Sequence, residues 1–211
     1  ALAVSLDKPT TKKIFAYHGV PTPAFRSVAP GEEIDITGLR YPLFVKPARE
    51  GSSMGVSPDS LVRNHGELVE QVAHIHKWYR QEALIEEYLD GREFTIGILG
   101  NKEHLMLPIR EILFDLCPSE HGRIYSYQFK QEWSASKYYR CPAPVDEELA
   151  SQLRDTALRA FKAVNCFDIG RVDLRLDRDG VPHVLEINPL PGLSPGFSDL
   201  PLAADALGMS Y

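Results

Sequence analysis

The sequence predicts an α+β fold, on three observations: amphipathic helical segments separated by runs of short strands, turn dipeptides that punctuate those strands, and a late hairpin with clean alternation. A first helix is expected over residues 8–18, because Pro9 suits an opening helical turn and Gly19 followed by Pro21 ends it. Pro21, Pro23 and Pro30 keep the chain extended as far as a short apolar strand at 41–46, after which residues 49–55 (Arg-Glu-Gly-Ser-Ser-Met-Gly) must form a loop. A second helix starts near Asn64, with Glu67 as its capping partner and Leu68, Val72 and Ile75 on one apolar stripe. Residues 83–88, 93–99 and 105–109 read as one antiparallel meander turned at Asp90-Gly91 and Gly100-Asn101. The pattern then loses its period over 113–137, which marks an active-site loop. A long helix follows Pro142 and Pro144, burying Leu149, Leu153, Ala157, Phe161 and Val164, with Glu147 and Glu148 favouring its N-terminus. No internal repeat is present. The chain opens almost directly on a helix and closes on a helix start at Pro201, so a fragment is expected.

With 211 residues, 44% of them hydrophobic, the chain can bury the core of one large domain or two small ones. A net charge of −6 with no dominant basic patch argues against nucleic acid as partner. No apolar run approaches the roughly 18–20 residues that cross a bilayer, so no membrane association is expected. Cys117, Cys141 and Cys166 are odd in number and widely spaced, which suggests neither a disulfide framework nor a thiolate zinc site and fits a reducing cytoplasm. Cys166, between a helix and an apolar strand, is expected in the core.

The hairpin at 170–188 carries the densest chemistry. Residues two apart on a strand share a face, so Arg171 pairs with Asp173, and Glu186 with Asn188. With a connecting loop of even length, all four fall on one face of the hairpin. Two adjacent carboxylates repel unless a proton or cation lies between them, and hard oxygen donors suit Mg²⁺ shared with phosphates. The spacing equally fits a solvent-facing strand with surface Arg–Asp pairs. The following loop, Pro-Leu-Pro-Gly-Leu-Ser-Pro-Gly at 189–196, favours the metal reading, because its backbone N–H groups could hold an oxyanion beside the ion.

The stretches LDKPTTKK, KPAREGSSMGVS, IEEYLDGREFT and GRVDLRLDRDGVPHVLEINPLPG, in that order along nearly the whole chain, resemble the motifs of the ATP-grasp superfamily, and within it the D-alanine–D-alanine ligases. The resemblance implies an ATP-grasp fold of two α+β subdomains with antiparallel sheets sandwiching ATP, placed at residues 1–100 and 101–211. It implies that Lys8 and Lys46 contact phosphates, and that Ser52, Ser53 and Met54 close over them, Ser52 also acting in catalysis. Adenine would lie along the backbone of Glu86, Tyr88 and Leu89, its amino group on the Glu86 side chain, between Phe44 and Leu185. Glu93 would hold the ribose, and Lys130 would reach the γ-phosphate from the loop. Asp173, Glu186 and Asn188 would hold two Mg²⁺ (or Mn²⁺) ions.

The implied reaction is ATP-dependent joining of a carboxylate to an amine through an acyl phosphate, D-Ala with D-Ala for peptidoglycan synthesis, in a cytoplasmic homodimer at full length. Arg171 and the N–H of Gly192 would meet the developing oxyanion. The alternatives are another amino-acid pair, an ATP-grasp phosphotransferase, or a nucleotide-binding module without turnover. Two departures bear on the substrate: Gln131 stands where the family commonly has Tyr, and residues 195–200 run one residue longer, with Ser198 in uncertain register. Lacking the family's N-terminal domain, the chain alone is expected not to ligate.

Overall fold

The structure is a computed structural model that describes residues 1–116, 123–124 and 138–211. Two helices open it, α1 (Leu2–Leu6) and α2 (Lys8–Tyr17). The carboxylate of Asp7 caps α2 by accepting from the Thr10 N–H at 2.9 Å, Pro9 sits in the first turn, and Gly19 leaves with φ +64°. Next come β1 (Phe25–Val28), β2 (Leu43–Pro47), β3 (Leu61–Val62), α3 (His65–Tyr79) and β4 (Ala83–Glu87). These strands form a sheet in the order β1-β4-β2-β3. Asn64 caps α3 as predicted, and Leu68, Val72 and Ile75 bury its apolar stripe against Val45, Ile85 and neighbours.

The second sheet contains β5 (Glu93–Leu99), β6 (Leu105–Met106), β7 (Arg110–Ile112), β8 (Tyr139–Arg140), β9 (Ile169–Leu176) and β10 (Pro182–Asn188). Its order is β10-β9-β5-β7-β8, with β6 paired to β5. Helix α4 (Glu147–Ala163), capped by Asp146, buries Leu153, Ala157, Ala160 and Phe161 on this sheet. Phe15 of α2 joins that same core, and so does Cys166, as expected from the sequence. Helix α5 (Asp199–Ala206) closes the chain, with Leu200 and Ala203 packed against Leu107. No helix among the described residues is long and apolar enough to cross a membrane.

The expected meander is corrected here. β4 and β5 do not pair with each other; they belong to different sheets, and only the Gly100-Asn101 turn joins paired strands, β5 and β6. The segment around Gly91 is a crossover: a Cβ on Gly91 would stand 2.4 Å from the Leu176 carbonyl oxygen, so only glycine lets the chain pass that close to β9. A turn dipeptide between two apolar runs signals a reversal of direction but not which strand accepts the next one. Residues 93–99, assigned from sequence to the first subdomain, therefore hydrogen-bond within the second sheet.

Candidate functional site

A cleft opens between the two sheets, lined among others by Lys8, Lys46, Ser53, Met54, Glu86 and Tyr88 from one side and Glu93, Asp173, Leu185 and Glu186 from the other. Phe44 and Leu89 also line it. Phe44 and Leu185 are half-buried and belong to neither large hydrophobic core, so both are free to face a ligand.

The hairpin reaches its geometry by an unexpected route. Its connection, residues 177–181, is odd in length, since Pro182 pairs with Leu176. Continued in that register, Glu186 would oppose Val172 and turn away from Asp173. A bulge between Val184 and Glu186 shifts the register, so that Glu186 pairs with Asp173 and Asn188 with Arg171. The expectation of an even loop is thus corrected while the four side chains still share a face, and the extra residue, Leu185, is presented to the cleft beside Glu186.

On that face the Asn188 amide nitrogen lies 3.2 Å from Asp173 Oδ2 and 3.3 Å from Glu186 Oε1, so both carboxylates converge on one point. Asp173 is also held by the Thr95 hydroxyl at 2.7 Å and by the Arg171 fork at 2.8 and 3.0 Å. Among the described residues no group of three His, Cys, Asp or Glu side chains is arranged to hold a metal. The set that could do so is two carboxylates and an amide, donors that suit a hard cation shared with a ligand.

Opposite stands a cluster of lysines. Lys8 and Lys12 lie one turn apart on α2, and Lys8 donates to the Glu50 carbonyl while its ammonium sits 3.9 Å from Glu186. Burial works against the charge on Lys8, partly countered by Glu186, and its pKa falls. Glu86, 2% exposed, receives Lys46 at 2.5 Å on one oxygen and faces Lys12 at 2.9 Å on the other. Burial alone would raise the Glu86 pKa, but Lys12 and then Lys46 outweigh it and hold the carboxyl below its ordinary value. The loop beside these lysines departs from expectation in detail: the left-handed positions are Ser52 (φ +52°) and Ser53 (φ +58°) as well as Gly55. Such angles at non-glycine residues cost about 1–3 kcal/mol each and concentrate at ligand clamps.

Glu93 pairs with Arg175 at 3.2 Å. Arg175 is 5% exposed, lies between the Tyr88 and Phe114 rings, and donates to the Tyr88 hydroxyl at 3.0 Å. The sequence reading missed Arg175, although the rule that pairs Arg171 with Asp173 also puts residue 175 on their face. It missed Lys12 too, which the helical period places with Lys8. Asp199 had no such signal. It accepts from Arg110 at 2.6 Å and lies 3.6 Å from Arg171, so that Arg110, Asp199, Arg171 and Asp173 alternate in sign. Burial opposes the Arg171 charge, yet Asp173 and Asp199 raise its pKa.

Ser52, Arg171, Asn188 and Gly192 do not line the cleft itself. Gly192 packs on Ser198, where an added Cβ would stand 2.7 Å from the hydroxyl. Lys130 and Gln131 lie outside the described residues.

Comparison with known proteins supplies a context for this geometry. The family described as D-ala D-ala ligase C-terminus matches residues 15–211. The chain is 42% identical over 205 residues to the uncharacterized protein y4sG of Sinorhizobium fredii, covering 97% of this chain and 59% of that one. It is 37% identical over 213 residues to a D-alanine–D-alanine ligase of Syntrophotalea carbinolica, covering 100% of this chain and 64% of the relative. The fold resembles a D-alanine–D-alanine ligase of Bacillus anthracis solved with ATP, at TM-score 0.75, 30% identity, 97% of this chain and 61% of that one. The VanG D-Ala:D-Ser ligase of Enterococcus faecalis gives TM-score 0.78 at 25% identity, covering 99% of this chain and 59% of that one. The chain therefore spans about three fifths of the length of these relatives.

Proposed function

The chain belongs to the D-Ala–D-Ala ligase C-terminus family, and on that premise we propose that it forms the ATP-binding and catalytic part of a ligase joining a carboxylate to an amine. The leading reading is D-Ala with D-Ala, for peptidoglycan synthesis in the cytoplasm, in a protein that works at full length as a homodimer on small amino-acid substrates. The observation that carries the proposal is the convergence of Asp173 and Glu186 on Asn188, facing Lys8 and Lys46 across the cleft.

Adenine would lie between Phe44 and Leu185, along the backbone from Glu86 through Tyr88 to Leu89, with its amino group donating to Glu86. The ribose hydroxyls would donate to Glu93, which Arg175 steadies from behind. Lys8 and Lys46 would face the polyphosphate as compact charges, and the strained Ser52-Ser53-Met54 turn would lay backbone N–H groups over it. Mg²⁺ or Mn²⁺, as two ions held by Asp173, Glu186 and Asn188, would neutralise charge on the phosphates. A substrate carboxylate attacks the γ-phosphorus to give an acyl phosphate and ADP, with Lys130 assisting. The amine of the second substrate attacks the activated carbonyl, and Arg171 with the Gly192 N–H meets the oxyanion before phosphate leaves.

A different second substrate is the other reading, and Asp199 favours it. This carboxylate comes from the 195–200 segment in which the chain departs from the family, and it approaches Arg171 within 3.6 Å. A site whose polar partners change discriminates strongly between substrates. Incubating the full-length protein with ATP, Mg²⁺ and D-Ala, D-Ser, D-lactate or L-amino acids, with phosphate release and product mass as readouts, tests both. Equal yields of ADP, phosphate and an amide support the ligase. A stable phosphorylated substrate would establish a phosphotransferase, and ATP binding without turnover on any substrate a binding module.

A further inference from the structure

Lys12 takes no part in the chemistry above, yet its side chain is 1% exposed. Its ammonium lies 2.9 Å from Glu86 and donates to the Thr22 hydroxyl at 2.7 Å, and Thr22 donates to the Val184 carbonyl at 2.8 Å. Val184 immediately precedes the bulge that presents Leu185. One ammonium thereby ties α2 to β4 of the four-stranded sheet and to β10 of the six-stranded sheet, with the Phe25 ring 5.7 Å below it. Lys46, which holds the other Glu86 oxygen, lines the cleft; Lys12 stands behind Glu86, away from it.

We propose that Lys12 is a positioning residue for base selection: it is the standing counter-ion of Glu86, and so leaves Lys46 available to a polyphosphate while the carboxylate stays ionised and aimed. The inference rests on the nucleotide reading of the cleft. A carboxylate this deeply buried is sustained only by a cation. Without Lys12, the single charge of Lys46 would be shared between that carboxylate and the phosphates. An ionised carboxylate accepts hydrogen bonds and cannot donate them. It therefore matches a purine bearing an amino group and leaves a purine carbonyl facing an unmatched, repelling oxygen. Burial lowers the Lys12 pKa to about 8, which is the strain expected of an ammonium kept from water for its partner's sake.

The test is calorimetric titration of ATP and of GTP, each with Mg²⁺, into the wild-type chain, Lys12→Met and Thr22→Val, with circular dichroism confirming the fold. Lys12→Met keeps the length and removes the charge; Thr22→Val keeps the charge and unpins it. The wild type is expected to prefer ATP. Lys12→Met should lose about tenfold or more in ATP affinity, the scale of one charge-supported hydrogen bond, and less for GTP, so that the ATP-to-GTP ratio falls. Thr22→Val should lower the ratio by less. Wild-type ATP affinity in Lys12→Met, or equal loss for both nucleotides, would overturn the positioning role and leave the nucleotide reading standing. If Lys12→Met does not fold, an unchanged ratio in Thr22→Val overturns it. A wild type that binds neither nucleotide would remove both.

Discussion

Where the two sheets face each other, Lys8, Lys12 and Lys46 confront Glu86 and Glu186. Beside them Arg110, Asp199, Arg171 and Asp173 alternate, each arginine already matched to carboxylate oxygens and Arg110 stacked 4.0 Å over the Tyr139 ring. The lysine region presents Lys8 and Lys46 to the cleft on flexible stems with rotatable donors, the form suited to meeting an incoming anion. The arginine region is internally satisfied, and its planar forks fix orientation. Under the proposed function, the first region would bind the nucleotide and the second would hold a reacting group in place.

The contrast breaks most sharply at Arg171. In the full-length protein, Arg171→Ala should lower the ligation rate by roughly a hundredfold or more, the size of losing one oxyanion donor, with ATP affinity little changed. Steady-state kinetics beside calorimetry reads both numbers, and an equal fall in each would erase the division of labour. Glu186→Gln should do the reverse, weakening ATP binding about tenfold in Mg²⁺ and scarcely at all in EDTA, because its loss removes a donor to the ion. Equal affinities for variant and wild type in Mg²⁺ would remove Glu186 from the metal set.

A smaller effect sharpens the same comparison. Asp199→Asn should slow the reaction by about tenfold, since it loosens Arg171 without removing it, on the scale of one weakened charged contact. Combined with Arg171→Ala, the Asp199 change should add almost nothing, as for groups acting through a common residue. Additive losses would show that Asp199 works independently. Gly91→Ala should cost about 1–3 kcal/mol of stability by overpacking against β9, measured by denaturant unfolding, and serves as the change that favours neither region.

The lysine region was largely legible in the sequence. Lys8, Lys46, Glu86 and Glu186 sit on a helix start and on strands whose periods and motifs are local, and one cleft gathers them. Lys12 and Arg175 were equally legible by helical and strand period and stand inside the quoted stretches LDKPTTKK and GRVDLRLDRDGVPHVLEINPLPG, yet both went unread. Of the arginine region only Arg171 and Asp173 were legible, and the other half was opaque for a physical reason. Asp199 and Arg110 are 89 residues apart and meet only through the packing of α5 on the second sheet. The failed meander has the same origin: turn chemistry is local, whereas strand partnership is decided by the whole core. The bulge at Leu185 was invisible to parity counting, and it alone rescues the face that counting had named.

The most direct test of the central claim, that the cleft is a metal-dependent nucleotide site, is calorimetric titration of ATP into this chain with Mg²⁺ and again with EDTA. A single site is expected in Mg²⁺, with an affinity at least tenfold weaker in EDTA, because Asp173 and Glu186 then face the phosphates with no metal ion between them. Equal affinity in both solutions, or no binding in Mg²⁺, would contradict it.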